Sequence, residues 1–230
     1  MIEENGLHIY KCTDGKKVNS VTYYLKVLGS ESIVKWSNYL GFNHRKYEDE
    51  LEYAADVGSQ VHESLHAYLD KSYKPHTIIS DSFAEEMSEM AIMNLKSLFR
   101  DIPYETIYTE KEFASSKLGY GGTIDWYVKI GSRKFLGDFK TSKRVYNKHL
   151  LQLGGYYNLM KEAGEEPDGA FILRLKGLDR KIFFVSVDQL KYLGEIFNFL
   201  VKYSNFLRAE TESELPQDKT ITLESFRTKG

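Results

Sequence analysis

Residues 122–126 read Gly-Thr-Ile-Asp-Trp and residues 136–142 read Leu-Gly-Asp-Phe-Lys-Thr-Ser, with Gly131-Ser132 between them. Side chains alternate across a strand, so Asp138 and Lys140 share a face. Taking Gly131-Ser132 as a two-residue turn pairs Ile130 with Arg133. Counting outward then sets Val128 against Phe135, Trp126 against Gly137 and Asp125 against Asp138. One face carries Ile124, Trp126, Val128, Ile130, Phe135 and Phe139 and is expected to be core. The other carries Thr123, Asp125, Asp138 and Lys140. Two directly opposed carboxylates repel each other unless a cation lies between them, and a divalent metal is the natural occupant. The same alternation also describes the solvated face of an ordinary hairpin, so the flanking elements must decide.

Upstream, residues 8–28 read as β-rich, with Asp14-Gly15 turning between Tyr10-Lys11-Cys12 and Val18–Leu25. Helical spacing follows over Glu31–Leu40, stopping at Gly41, then over Glu48–Leu69 and Asp81–Arg100. Strands are predicted at Glu105–Phe113, Gly121–Ile130 and Lys134–Thr141, then a helix over Asn147–Ala163 that ends at Gly164. Strands at Ala170–Leu175 and Lys181–Val187 precede a final helix capped by Asp188 and running to Arg208. This order implies an α/β fold, a central mixed sheet flanked by helices. The expected organisation is one domain over 1–230, with a mainly helical N-terminal section (1–100) carrying a short β-hairpin, an α/β core (104–208) and a peripheral tail (209–230).

The 230 residues suffice for a sizeable core, and no run of eighteen apolar residues or signal-peptide layout is present, so a cytoplasmic protein without membrane contact is expected. Cys12 is the single cysteine, which excludes a disulfide framework, a zinc ribbon and a four-cysteine iron–sulfur cluster within the chain. A formal charge of −2 is not that of a protein coating nucleic acid, although local patches can bind phosphate.

Four short motifs stand in order: Gly58-Ser59-Gln60-Val61-His62, Gly122-Thr123-Ile124-Asp125, Asp138-Phe139-Lys140-Thr141-Ser142 and Gln152-Leu153-Gly154-Gly155-Tyr156. Together they resemble the PD-(D/E)XK nuclease superfamily, within its RecB-like exonuclease branch, over about residues 55–187. The resemblance implies a restriction-endonuclease-like core and a DNA nuclease, an exonuclease acting on ends or single strands in recombination, repair or phage DNA processing. It gives His62, Asp125, Asp138 and the Phe139 carbonyl to the metal, and Gln152 and Tyr156 to the DNA strand. Hard carboxylate oxygens suit Mg²⁺ or Mn²⁺. Lys140 is placed to position or deprotonate the attacking water and to stabilise transition-state charge. Thr141, Ser142, Lys143, Arg144 and Lys148 form a polar and basic approach suited to phosphate. Glu110 or Glu112 on the preceding strand can also face the site. The family's proline is replaced by Ile124, and the cysteines of its iron–sulfur members are absent, so no cluster is carried over. Val21-Thr22 and Trp36 look similar to the N-terminal part of phage exonucleases, which implies a bacterial or phage-infected cell as setting.

Two details weigh on this reading. Gly154-Gly155 costs about 1 kcal/mol per glycine relative to alanine inside a helix, so either the sheet or the substrate is expected to approach closely. His62-Glu63-Ser64-Leu65-His66 also satisfies the H-E-x-x-H pattern of zinc peptidases, with Glu85, Glu86 or Glu89 available as third ligand. That alternative leaves Asp125, Asp138, Lys140, Gln152 and Tyr156 unexplained. A non-catalytic nucleic-acid-binding relative is disfavoured, because both acids and the lysine are present.

Overall fold

The computed structural model describes residues 2–4, 7–29, 31–177 and 179–209, so all but the first residue of the tail expected over 209–230 lies outside the described residues. In chain order the elements are β1 (Ile2–Glu4), β2 (Leu7–Lys11), β3 (Lys17–Ser20), α1 (Val21–Leu25), α2 (Glu31–Phe42), α3 (Tyr47–Leu69), α4 (Ser82–Leu98), β4 (Tyr104–Ser115), β5 (Tyr120–Ile130), β6 (Arg133–Lys140), α5 (Asn147–Glu162), β7 (Gly169–Lys176), β8 (Asp179–Ser186) and α6 (Val187–Arg208). The sheet is mixed: β5–β6 and β7–β8 are antiparallel, whereas β3–β5 and β6–β7 are parallel. Helices cover both faces, so the fold is the α/β restriction-endonuclease-like architecture that the alternation of elements implies.

Local signals explain most boundaries. Asp81 accepts the Ala84 N–H at the start of α4, and Ser186 accepts the Gln189 N–H while Gln189 returns to the Ser186 N–H, a capping box for α6. The cap of α6 is therefore Ser186, two residues before the expected Asp188. Val21–Leu25 is helical rather than extended because the Ser20 hydroxyl captures the Tyr23 N–H at 3.0 Å and turns the chain out of β3. Gly41 does not stop α2, which continues to Phe42.

The helices make two apolar layers. On one face Val57, Val61 and Leu65 of α3, with Leu95 of α4, pack on Trp126, Val128, Phe139 and Phe171. On the other, Leu153 and Met160 of α5 and Phe197 of α6 pack on Tyr127, Leu136 and Ile172. The hairpin face expected to be purely chemical is thus half core, since Tyr127 and Leu136 alternate with its acids and are fully buried. Ile124 also departs from the expected face and joins the α5 layer, at the end of β5 where β6 no longer accompanies it.

The sheet topology opens a fork. β4 pairs with β5 along its whole length, so β3 and β6 share the remaining edge of β5. β6 covers Trp126–Ile130 and β3 meets only Tyr120 and Gly121, which leaves 122–125 without a strand on that edge. Asp125 sits at the mouth of this gap.

Candidate metal centre

The counted register holds from Ile130↔Arg133 to Trp126↔Gly137, where the ladder ends. One step further the acids do not form a ladder pair. Asp138 aligns with Ile172 of β7, and Asp125 Oδ2 accepts the Phe139 N–H at 2.8 Å. Burial lifts Asp138 to about 6, and the nearby Asp125 carboxylate adds to the rise against the opposing pull of Lys140. Asp138 is fully buried and its Oδ2 lies 2.6 Å from Lys140 Nζ, yet neither oxygen has a hydrogen bond of good angular geometry. A buried carboxylate held this way needs its cation.

His62 projects from α3 beside the buried stripe Val57, Val61 and Leu65, which fixes the helix on the sheet. Its Nε2 is 3.2 Å from the Phe139 carbonyl oxygen. A carbonyl only accepts, so Nε2 carries the proton and Nδ1 faces the acids, 3.6 Å from Asp125 Oδ2 and 3.7 Å from Glu110 Oε1. Burial alone would lower His62, but the Asp125 and Glu110 carboxylates outweigh it and lift it to about 9. Burial likewise pushes Asp125 up, opposed by His62. In this state a proton on His62 offsets the two acids, a role that a divalent cation bound there would take over.

Glu110 is the candidate ligand that the sequence left open between itself and Glu112. One extra residue in β4 breaks the register between Thr106↔Val128 and Tyr108↔Tyr127. This bulge moves Tyr108 to the α5 layer although Tyr104 packs in the α3 layer, and the shifted pairs Thr109↔Trp126 and Lys111↔Ile124 bring Glu110 level with Asp125 between them. Glu110 also adopts φ 47°, a left-handed conformation rare outside glycine and a mark of a constrained site. His62, Glu110 and Asp125 each offer one ligand atom within 4.8 Å of the others, a group able to hold a metal ion. The donor set of two carboxylates and one imidazole suits a hard or borderline divalent ion.

Around this group lies a cleft of about 620 Å³ lined by His62, Glu110, Asp125, Lys140, Gln152 and Tyr156 among others. Gln152 and Tyr156 face it from α5, and Gln152 Nε2 donates to the Tyr156 hydroxyl at 2.7 Å. A Cβ added at Gly122 would stand 2.5 Å from the Tyr156 ring, so glycine there lets α5 seat against β5. The glycines of α5 serve a different neighbour than expected: a Cβ on Gly154 would meet the Leu193 backbone of α6 at 2.5 Å, and one on Gly155 would meet Phe197 at 3.0 Å. Phe139 turns its ring onto Trp126, and its carbonyl, which the resemblance gives to the metal, accepts from His62.

The cleft brings His62, Asp125, Lys140, Gln152 and Tyr156 together, whereas Thr141, Ser142, Lys143 and Arg144 are not among its lining residues. Ser142 Oγ donates to the Arg144 carbonyl, the Lys143 carbonyl accepts from Arg174, and the Arg144 guanidinium lies 4.9 Å above the Tyr146 ring. The H-E-x-x-H pattern does not assemble among the described residues. His66 stacks on Tyr73 with ring centroids 3.8 Å apart, and Glu63 accepts from the Tyr73 hydroxyl and the His76 N–H. Neither His66 nor Glu85, Glu86 or Glu89 belongs to the group that gathers at His62.

No helix among the described residues is long and apolar enough to cross a membrane. No family model matches the chain, and no curated protein matches it. A solved structure described as the crystal structure of SSO0001 is similar at a TM-score of 0.35 and 14% identity, over 67% of this chain and 76% of that chain, a likeness too distant to bear on function. His62, Glu110 and Asp125 form a group able to hold a metal ion at the fork of a restriction-endonuclease-like sheet.

Proposed function

We propose that this chain is a Mg²⁺- or Mn²⁺-dependent DNA nuclease of the PD-(D/E)XK superfamily, RecB-like branch, that hydrolyses phosphodiesters at DNA ends or in single strands. The observation that carries this reading is the convergence of His62, Glu110 and Asp125 with Lys140 on one side of a cleft whose other wall is Gln152 and Tyr156. His62, Glu110 and Asp125 would hold the divalent ion, which when bound would supply a more acidic water and offset phosphate charge. The Phe139 carbonyl orients His62 so that Nδ1 points to the ligand group.

Lys140 has the chemistry to align a water and to offset charge on the phosphate oxygens as they become more negative. Asp138 keeps the Lys140 ammonium at the cleft from a fully buried position. Gln152 and Tyr156, fixed to each other, offer polar groups for positioning the strand across from the metal group. Burial holds the Tyr156 phenol well above its usual range, so it serves as a neutral hydroxyl.

The test is incubation of end-labelled single- and double-stranded DNA with Mg²⁺, Mn²⁺ or EDTA, for wild type, Asp125→Ala and Lys140→Ala. Metal-dependent release of mononucleotides by wild type, reduced at least 100-fold in both variants, is expected, since lost charge stabilisation alone is worth about that factor. Intact substrate with either metal, despite retained DNA binding, would identify a non-catalytic relative instead.

A further inference from the structure

The cleft does not end at Lys140 and Gln152. A second cavity of about 570 Å³, close to the first in size, shares Thr22, Lys140 and Gln152 with it. Its remaining wall comes from Leu25, Lys26, Gly29 and Val34 on the N-terminal side and from Lys148 and His149 at the start of α5. The two spaces differ in sign. The first is lined by Glu63, Glu110 and Asp125, whereas the second presents Lys26, Lys140 and Lys148 and, among the described residues, no carboxylate.

Lys26 and Lys148 are exposed, and neither pairs with an acid among the described residues. Solvated lysines that line a cavity without carboxylates favour an anion. Beside them the wall is apolar, from Leu25 and from Val34, which is 59% exposed. His149 Nδ1 accepts the Tyr146 N–H at 3.3 Å, so its remaining proton sits on Nε2 as a neutral donor. An anionic group beside an apolar, hydrogen-bonding body is the composition of a nucleotide. Because the two cavities share three wall residues, a strand lying over the metal group would continue directly into the second.

We propose that the second cavity is a subsite for the nucleotide next to the scissile one, with its phosphate between Lys26 and Lys148 and its base against Leu25 and Val34. This rests on the nuclease reading and adds to it a second station on the strand. Shortened substrates that cannot reach this subsite are expected to bind less well, and phosphate contacts of this kind carry salt dependence rather than sequence preference.

The test is fluorescence anisotropy of a labelled single-stranded oligonucleotide in EDTA, across a salt series, for wild type, Lys26→Glu/Lys148→Glu, Lys26→Arg/Lys148→Arg and the control Lys181→Glu/Lys202→Glu. The control changes net charge equally at exposed lysines that do not line the cavity. Glutamate near the N-terminus of α5 is compatible with the helix dipole, and equal melting temperatures verify folding. Expected are at least tenfold weaker binding and a salt slope lower by about one to two for the Lys26/Lys148 charge reversal, with affinity restored by arginine and little changed in the control. Equal weakening in the control, or no weakening in the charge reversal, overturns the subsite. Wild-type binding that depends on these lysines without any metal-dependent cleavage sustains the subsite and removes the nuclease reading. Cleavage with binding indifferent to both lysines does the reverse.

Discussion

Gly122→Ala tests how the cleft is assembled, because it adds one methyl group away from every proposed ligand. The new Cβ would lie 2.5 Å from Tyr156 Cε1 and 3.0 Å from Cδ1, against an optimum of about 3.5–4.0 Å for carbon contacts. Tyr156 is 5% exposed and tied to Gln152, so the ring cannot yield without breaking that bond or moving α5. Overpacking of this kind costs about 1–3 kcal/mol, offset by ~0.5–1 kcal/mol from the lower chain entropy of alanine. A net loss of ~1–2 kcal/mol corresponds to a fall of ~2–8 °C in melting temperature for a chain of this size. Tyr156→Leu removes the clashing ring atoms, so in that background the alanine should be nearly neutral. The readout is a double-mutant cycle by thermal and urea unfolding, with an expected coupling of ~1–2 kcal/mol. Melting within about 1 °C of wild type, or strictly additive effects, would refute the close approach of α5 to β5.

Two further outcomes bear on the site and on the fold. Mn²⁺ at about 100 times its dissociation constant should stabilise the protein by ~2.7 kcal/mol, seen as a rise of ~5–10 °C in melting temperature that EDTA reverses and His62→Ala abolishes; an equal rise in His62→Ala would place the ion elsewhere. Burial, reinforced by Lys140 and Lys148, holds His149 down at about 3 against an ordinary 6.5, so the unfolded chain takes up a proton there that the native chain does not. The stability from neutral His149 is complete above pH 6.5 and declines as pH falls toward 3, by up to ~1.4 kcal/mol per unit. Urea unfolding of His149→Gln at pH 7 and 4.5 should therefore show an acid loss smaller by ~2–3 kcal/mol than in wild type, and parallel losses would contradict this assignment.

Much of this architecture is legible in the sequence because short-range rules govern it. The Gly131-Ser132 turn fixes the hairpin register through Trp126↔Gly137, and the helical spacing over 48–69 places His62 beside its buried stripe. Failures arise where tertiary context decides. Tyr127 and Leu136 alternate with Asp125 and Asp138, and only the arrival of α5 and α6 makes that face a second core. Glu110 and Glu112 are indistinguishable by spacing, since the bulge that selects Glu110 leaves no glycine or proline in Thr106-Ile107-Tyr108 to announce it. The Gly154-Gly155 pair correctly signals a close approach, but the partner is α6, distant in sequence and without any proposed ligand of its own.

The contact between α5 and α6 has a mechanical consequence for the cleft. Nine of the sixteen residues of α5 are buried, and its glycine abuts the α6 backbone, so the wall bearing Gln152 and Tyr156 is braced from behind. By contrast, α3 buries three residues, Val57, Val61 and Leu65, along twenty-three. The cleft therefore has one stiff jaw and one compliant jaw. Under the proposed nuclease reading, adjustment to strands of different thickness would fall to the helix that carries His62, which would couple the fit of the substrate to the geometry of the candidate ligand group.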